Sequence, residues 1–232
     1  MRRRPEYLRI WASVFRYMSE WALRRQAFIW ILLAAPIIAW ILPGQTSIPF
    51  LPLAISGITY CGPAAFISGW YRSSARSSLK DILFSTKAGR YSLVLPEIML
   101  PVLAGVLPAL GLALLWTAGR GGFPWQLWAV IPFASLTAVS LTVLLEKYLD
   151  QTGHIINLLA FMAQASAASW ALSPVFQLML PHGYVPWTLR WINGTGAAYH
   201  GDIYVFIAVL QGIGLLFLTV KALSDSEIES SD

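Results

Sequence analysis

Few side chains in this sequence have the means to do covalent chemistry. His154, His182 and His200 stand far apart and fall at the boundaries of apolar runs, where a solvated imidazole is the ordinary outcome and metal-ligand spacing is lacking. Ser166, Ser169 and Ser173, with His182 or His200, are the only raw material for an intramembrane enzyme acting on lipid or peptide. No base sits at a helical spacing from those serines that would activate one as a nucleophile. The sequence holds no Gly-x-x-x-x-Gly-Lys-Ser/Thr phosphate loop, no His-Glu-x-x-His pair and no Gly-x-Ser-x-Gly elbow. The expectation is a chain with no catalytic residue, no metal site and no bound cofactor.

Charge inside apolar sequence is the more informative signal, because an ionisable group at membrane depth is costly. Glu97, next to Pro96 near the start of an apolar run, is the best case. It reads either as a functional intramembrane charge or as a cap or ion-pair partner of Lys87 or Arg90. Glu146 and Asp150 share a helical face and flank Lys147, forming either a contact surface for a partner or a solvated helix end. Asn193-Gly194-Thr195 matches a glycosylation acceptor and reads equally as an Asn-Gly turn. Cys61 is the one cysteine, so no internal disulfide can form.

These residues are set in a chain of 232 residues that is 57% hydrophobic and 12% charged, about half the charge of an ordinary soluble domain. Apolar runs at Gln26–Pro43, Ile48–Trp70, Leu93–Ala118, Trp125–Leu145, Ile155–Leu180 and Ile203–Ala222 each approach the ~20 residues that cross a bilayer as a helix. Trp30, Trp40, Trp70, Trp116, Trp125 and Trp128 recur near their ends as interfacial belts. Of 16 Lys and Arg, all but Arg120 and Arg190 fall on one side of such a topology, which puts both termini in the cytoplasm. That distribution favours anionic membrane lipid over nucleic acid as the partner of a chain with net charge +5. The fold expected is an all-α, multi-pass integral membrane protein of the plasma membrane, of the bacterial inner-membrane type, with about six transmembrane helices.

Residues 1–25 precede the first run. From Glu6 to Arg25, Leu8, Trp11, Phe15, Met18 and Ala22 make one face and Glu6, Arg9, Ser13, Arg16, Glu20 and Arg24 the other, an amphipathic interfacial helix. Residues 26–222 form the six-span domain, and 223–232 an acidic cytoplasmic tail. Prolines in or beside the runs, among them Pro63, Pro96, Pro101, Pro108 and Pro132, predict kinked or broken helices. In the fifth run Ala165, Ser169 and Ser173 recur every four residues, a smooth seam for a dimer or for packing within one bundle. Pro181–Asp202 reads as a short or re-entrant helix at the outer interface.

The most unusual segment is the inner loop 71–92, where Leu79, Ile82, Leu83 and Phe84 form a short apolar patch among charges. A short helix with exposed apolar residues suits docking into a groove on a partner; the same helix could instead pack on its own bundle. This order of elements, an amphipathic helix, then spans with a cytoplasmic helix between the second and third, resembles the permease subunits of ABC-2-type transporters over roughly residues 6 to 120. Leu79-Lys80-Asp81-Ile82-Leu83-Phe84-Ser85-Thr86-Lys87-Ala88-Gly89-Arg90 stands where that family often reads Leu-Glu-x-Leu-Leu-x-Thr-Pro-Leu-Ser-Arg. Lys87 occupies the usual proline position, and the Arg/Ser-rich Arg72–Ser78 replaces the acidic lead-in.

The resemblance implies an amphipathic connecting helix and a coupling helix carrying Leu79, Lys80, Asp81, Ile82, Leu83, Phe84, Ser85 and Thr86. It also implies pairing with a second permease copy or a paralogue, and separate P-loop ATPase subunits that bind ATP and Mg below. An exporter is the expectation; a stand-alone channel or secondary carrier is the other transport class, and no internal repeat supports it.

Overall fold

The computed structural model describes residues 4–24, 50–84, 87–118, 125–149, 184–192, 194 and 200–229. Among these residues the chain is all helical, with no strand. Seven helices follow in order: α1 (Arg4–Leu23), α2 (Phe50–Tyr71), α3 (Ser74–Phe84), α4 (Lys87–Ala118), α5 (Trp125–Leu149), α6 (Tyr184–Ile192) and α7 (Gly201–Glu229). The first and fifth apolar runs, with Ala165, Ser169, Ser173, Ser85 and Thr86, lie outside the described residues.

Among the described residues, three segments are long and apolar enough to cross a membrane: Leu93–Leu114 of α4, Trp125–Leu149 of α5 and Gly201–Leu223 of α7. All of α4 is 32 residues, ~48 Å at 1.5 Å per residue, so its first turns extend beyond a ~30 Å hydrocarbon layer. The outer surface is that of a membrane protein. Phe206 and Phe217 on α7 are 68% and 70% exposed, in line with exposed Leu210 and Ile213 at spacings of three and four residues. Such a continuous outward apolar face suits lipid contact and is rare on a soluble monomer.

Helix α5 is the axis, packed against α2, α4, α6 and α7. Several of its polar residues bond locally or across close contacts, while the buried Thr137 and Ser140 hydroxyls make no hydrogen bond. Thr142 donates to the Ala138 carbonyl at 2.7 Å, as Thr59 does to Ile55 at 2.6 Å, so the hydroxyls turn back onto their own helices. Helices α5 and α7 run parallel. Gln126 Nε2 meets Asp202 at 3.1 Å, Thr219 Oγ1 meets the Ser140 carbonyl at 3.2 Å, and Lys147 Nζ reaches the Ala222 carbonyl. Gly212 lets α7 close on α5, where an added Cβ would lie 3.2 Å from the Phe133 carbonyl oxygen.

One end of the bundle therefore gathers α1, α3, the end of α2, the start of α4 and the ends of α5 and α7. Arg9, Arg16, Arg72, Arg76, Lys80, Lys147 and Lys221 all belong to this basic end. The short helix α6 closes the other end, its Tyr184 and Val185 buried in a core with Ile55, Leu112, Leu127 and Ala208.

Halfway along, three helices cross at a single glycine. A Cβ on Gly105 would lie 2.5 Å from Pro63 Cγ and 2.7 Å from Ser135 Oγ, which donates to the Val102 carbonyl at 3.3 Å. The Pro63 ring cannot rotate away, so relief requires helix movement. Gly105→Ala is expected to destabilise the fold by about 1–3 kcal/mol through overpacking. Gly111→Ala, with nothing within 4 Å of its added Cβ, should leave stability unchanged or raise it by up to about 1 kcal/mol. Thermal unfolding in mild detergent checks the contrast.

Candidate functional site

The buried charge at Glu97 organises the basic end. Helix α2 ends at Tyr71, where the Arg72 and Ser73 amides close a turn on the carbonyls of Ser68 and Trp70. Ser73 then caps α3: its hydroxyl accepts the Arg76 amide at 3.2 Å and donates to the Trp70 carbonyl at 2.7 Å. That turn folds the first residues of α3 back over the start of α4, so Arg76 faces Glu97.

Glu97 is 1% exposed. Its Oε1 accepts Arg76 Nε at 2.6 Å and Trp70 Nε1 at 2.8 Å, and its Oε2 accepts Arg76 Nη2 at 3.2 Å. The guanidinium also lies over the Tyr71 ring, 3.8 Å from the centroid. One carboxylate thus joins α2, α3 and α4. Burial by itself would lower the Arg76 pKa, but the Glu97 charge and hydrogen bonds outweigh it and the net shift is upward. Arg76 therefore stays charged at any accessible pH.

Around this pair lies an apolar cluster. Val14, Met18 and Ala22 of α1 pack with Phe66 and Trp70 of α2, Leu83 of α3 and Leu93 of α4. Trp21 sets its ring edge-on to Phe66 and Trp70, at 5.7 and 5.2 Å. Of the apolar stripe of α1 expected at a membrane surface, Met18 and Ala22 are thus used against protein, with Val14 beside them, while Leu8 is exposed. The opposite face keeps Arg9 and Arg16 exposed, with Arg16 paired to Glu20 at 2.8 Å.

The apolar patch expected on α3 is divided. Leu83 is buried and Leu79 packs beside it in the same cluster, so both face the bundle. Ile82 is 68% exposed and points outward with Asp81 and Ser78, while Lys80 is half-buried. Leu79 and Leu83, four residues apart, project about 40° from each other around the helix and face the bundle, while Ile82 lies about 100° from Leu83 and falls at the outer rim of that face. The side chain of Phe84 lies outside the described residues.

Glu97 pairs with Arg76, a partner the sequence reading did not select. Lys87 and Arg90 lie ten and seven residues earlier on the same helix, ~15 and ~10 Å along its axis. A legible signal existed. Arg76, Leu79 and Leu83 are spaced by three and four residues, which puts an arginine on the apolar face of α3. Glu146 is buried and accepts the Ser68 hydroxyl at 2.5 Å, tying α5 to α2. Among the described residues, no group of three or more His, Cys, Asp or Glu could hold a metal ion. His200 instead makes an exposed pair with Asp202 at 3.1 Å.

No protein-family model, curated protein or solved structure matches the chain. Among the described residues, fold and site define a helical membrane protein with a buried ion pair at its basic end.

Such a pair stabilises only while both charges are present. Glu97→Gln should cost about 3–5 kcal/mol because Arg76 is left buried without a counter-charge. Replacing both, Arg76→Met with Glu97→Met, should recover most of that loss. A double-mutant cycle on thermal unfolding checks both expectations.

Proposed function

We propose that this chain is the membrane-spanning permease subunit of an ATP-driven ABC-type exporter, with α3 as the helix through which a separate ATPase acts. The observation that carries the reading is the mounting of α3. It is a short helix at the basic end, anchored to α4 by the Arg76–Glu97 pair and to α1 through Leu83. Its outer face, with Ser74, Ser78, Asp81 and Ile82, points away from the bundle. A helix held so firmly on one side and presented on the other is suited to receive force.

The six-span topology with both termini in the cytoplasm belongs to this proposal. Helix α5 ends at the basic end, and the described chain resumes with α6 at the other, the step a fifth crossing would make. The positive-inside rule then places the basic end in the cytoplasm of a bacterial-type inner membrane. Two permease copies, or this chain and a paralogue, would pair in the membrane above two P-loop ATPases carrying ATP and Mg. Arg9 and Arg16 on the free face of α1 add attraction to anionic lipid.

The test is purification from the native host in mild detergent, with partners identified by mass spectrometry and ATP hydrolysis assayed. A P-loop ATPase should co-purify, and Ile82→Asp should reduce its recovery at least tenfold while changing stability by no more than about 0.5 kcal/mol, as expected at an exposed position. Leu83→Asp, which buries a charge, should unfold the chain. A homogeneous, folded protein with no ATPase partner overturns the reading.

A further inference from the structure

The apolar cores divide the molecule along a line that the helices themselves do not follow. The cluster at the basic end draws on α1, α3, the last turns of α2 (Phe66, Trp70) and the first turns of α4 (Leu93), with no member from α5, α6 or α7. The cluster at the other end joins the remaining parts of α2 and α4 to α5, α6 and α7. Helices α2 and α4 each contribute to both.

Each of these helices has a proline where the division falls. Pro63 lacks the N–H that would bond the Thr59 carbonyl, and Pro101 lacks the one that would bond the Glu97 carbonyl. The two weak points lie close to one crossing: Pro63 packs on Gly105 at the crossing itself, and Pro101 lies four residues from Gly105 toward the basic end. On the far side of Pro101, α4 is bolted to α5 by the Ser135 hydrogen bond to the Val102 carbonyl and by the Gly105 contact. On the near side it is clasped through Glu97 to Trp70 and Arg76. Proline positions are where sharp helix bends occur.

We infer that α1, α3 and the basic-end segments of α2 and α4 form one rigid body, clasped at Glu97, that hinges at Pro63 and Pro101 against α5, α6 and α7.

The surface between the two bodies suits such motion. Ile67, Val94 and Ile98 meet Val139, Val143 and Leu223 through apolar contacts, which shift without breaking a hydrogen bond. The Ser68–Glu146 hydrogen bond is a polar tie across it, placed to help latch the body in the arrangement seen here. The clasp is of the opposite kind: a bidentate Arg–carboxylate pair fixes angle as well as distance, so α3 cannot turn without taking α4 with it. The driver of the motion rests on the transport reading above, because the moving body carries α3; the hinge itself does not need an ATPase to be observed.

The test uses the full chain in lipid nanodiscs, with Cys61→Ala as background and pairs of nitroxide labels read by double electron–electron resonance. Leu95→Cys with Phe217→Cys spans the two bodies, Leu107→Cys with Leu210→Cys lies beyond the hinge, and Ser77→Cys with Leu95→Cys lies within the moving body; the structure leaves all five positions exposed. The spanning pair should show a distance distribution at least twice as wide as the other two. Pro101→Ala, which restores the missing hydrogen bond, should narrow it to their width, and Ser68→Ala should widen it. Glu97→Gln should widen the Ser77–Leu95 pair. Equal widths for all three pairs in the unsubstituted chain overturn the hinge, as does a broad spanning pair that Pro101→Ala leaves unchanged. Should Glu97→Gln fail to fold, the unsubstituted chain and Pro101→Ala decide. Loss of the ATPase partner alone would remove the driver and leave these widths standing.

Discussion

A carboxylate removed from water must be given back most of its hydration by fixed partners, and at Glu97 that requirement shapes the basic end of the molecule. Three N–H donors from two other helices converge on its two oxygens. Meeting that demand dictates where α2 must stop, because Trp70 has to arrive in the last turn. It also dictates the tight turn at Arg72–Ser73, because Arg76 has to come back within reach. The Ser73 cap follows, since a helix starting there needs its first amides satisfied. The apolar cluster of α1, Phe66, Leu83 and Leu93 then packs around the pair and keeps water away.

The cost of this arrangement argues that stability is not its only role. A well-packed apolar pair is often as stabilising as a buried ion pair or more so, and it does not risk a stranded charge. What apolar contacts do not supply is a fixed orientation between two helices. The bidentate geometry at Arg76 supplies it, on a short helix whose outer face points away from the bundle. Farther along α4, near its middle, the orienting device is steric, with Gly105 wedged between Pro63 and Ser135. Between a polar clasp and a steric wedge lies Pro101, where the helix ladder is incomplete.

Much of this was legible in sequence because membrane helices have a simple signature. Runs of apolar residues broken by basic loops outline α2, α4, α5 and α7 closely, and the amphipathic period of residues 6–25 outlines α1. The short α3 was visible in the loop 71–92, and α6 in the aromatic segment before Asp202. The facing of residues was harder to read. Ile82 and Leu83 are adjacent in the chain, yet one is exposed and the other buried. The helical period could have separated them, with Arg76, Leu79 and Leu83 on one face, but an arginine on an apolar stripe is easily read as a solvated charge. The partner of Glu97 was missed for the same reason. Looking for it along α4 neglected that a turn of two residues, Arg72 and Ser73, returns α3 to its side.

Proline placement connects these local facts to the behaviour of the whole bundle. A proline in a membrane helix frees a carbonyl that water cannot reach, so the neighbouring packing has to tolerate it. In α4 the three prolines have unequal surroundings. Pro96 stands beside the clasp, Pro108 lies beyond the Gly105 wedge, and Pro101 alone falls between the two fixed points. A helix held at both ends of a weak segment bends there and not elsewhere, whatever supplies the force. The same reasoning singles out Pro63 in α2, which lies between the Trp70 contact to Glu97 and the core around Ile55 and Tyr60. Two adjacent helices with weak points at or just beside one crossing can bend together. The crossing at Gly105 can then remain close-packed while the basic end moves.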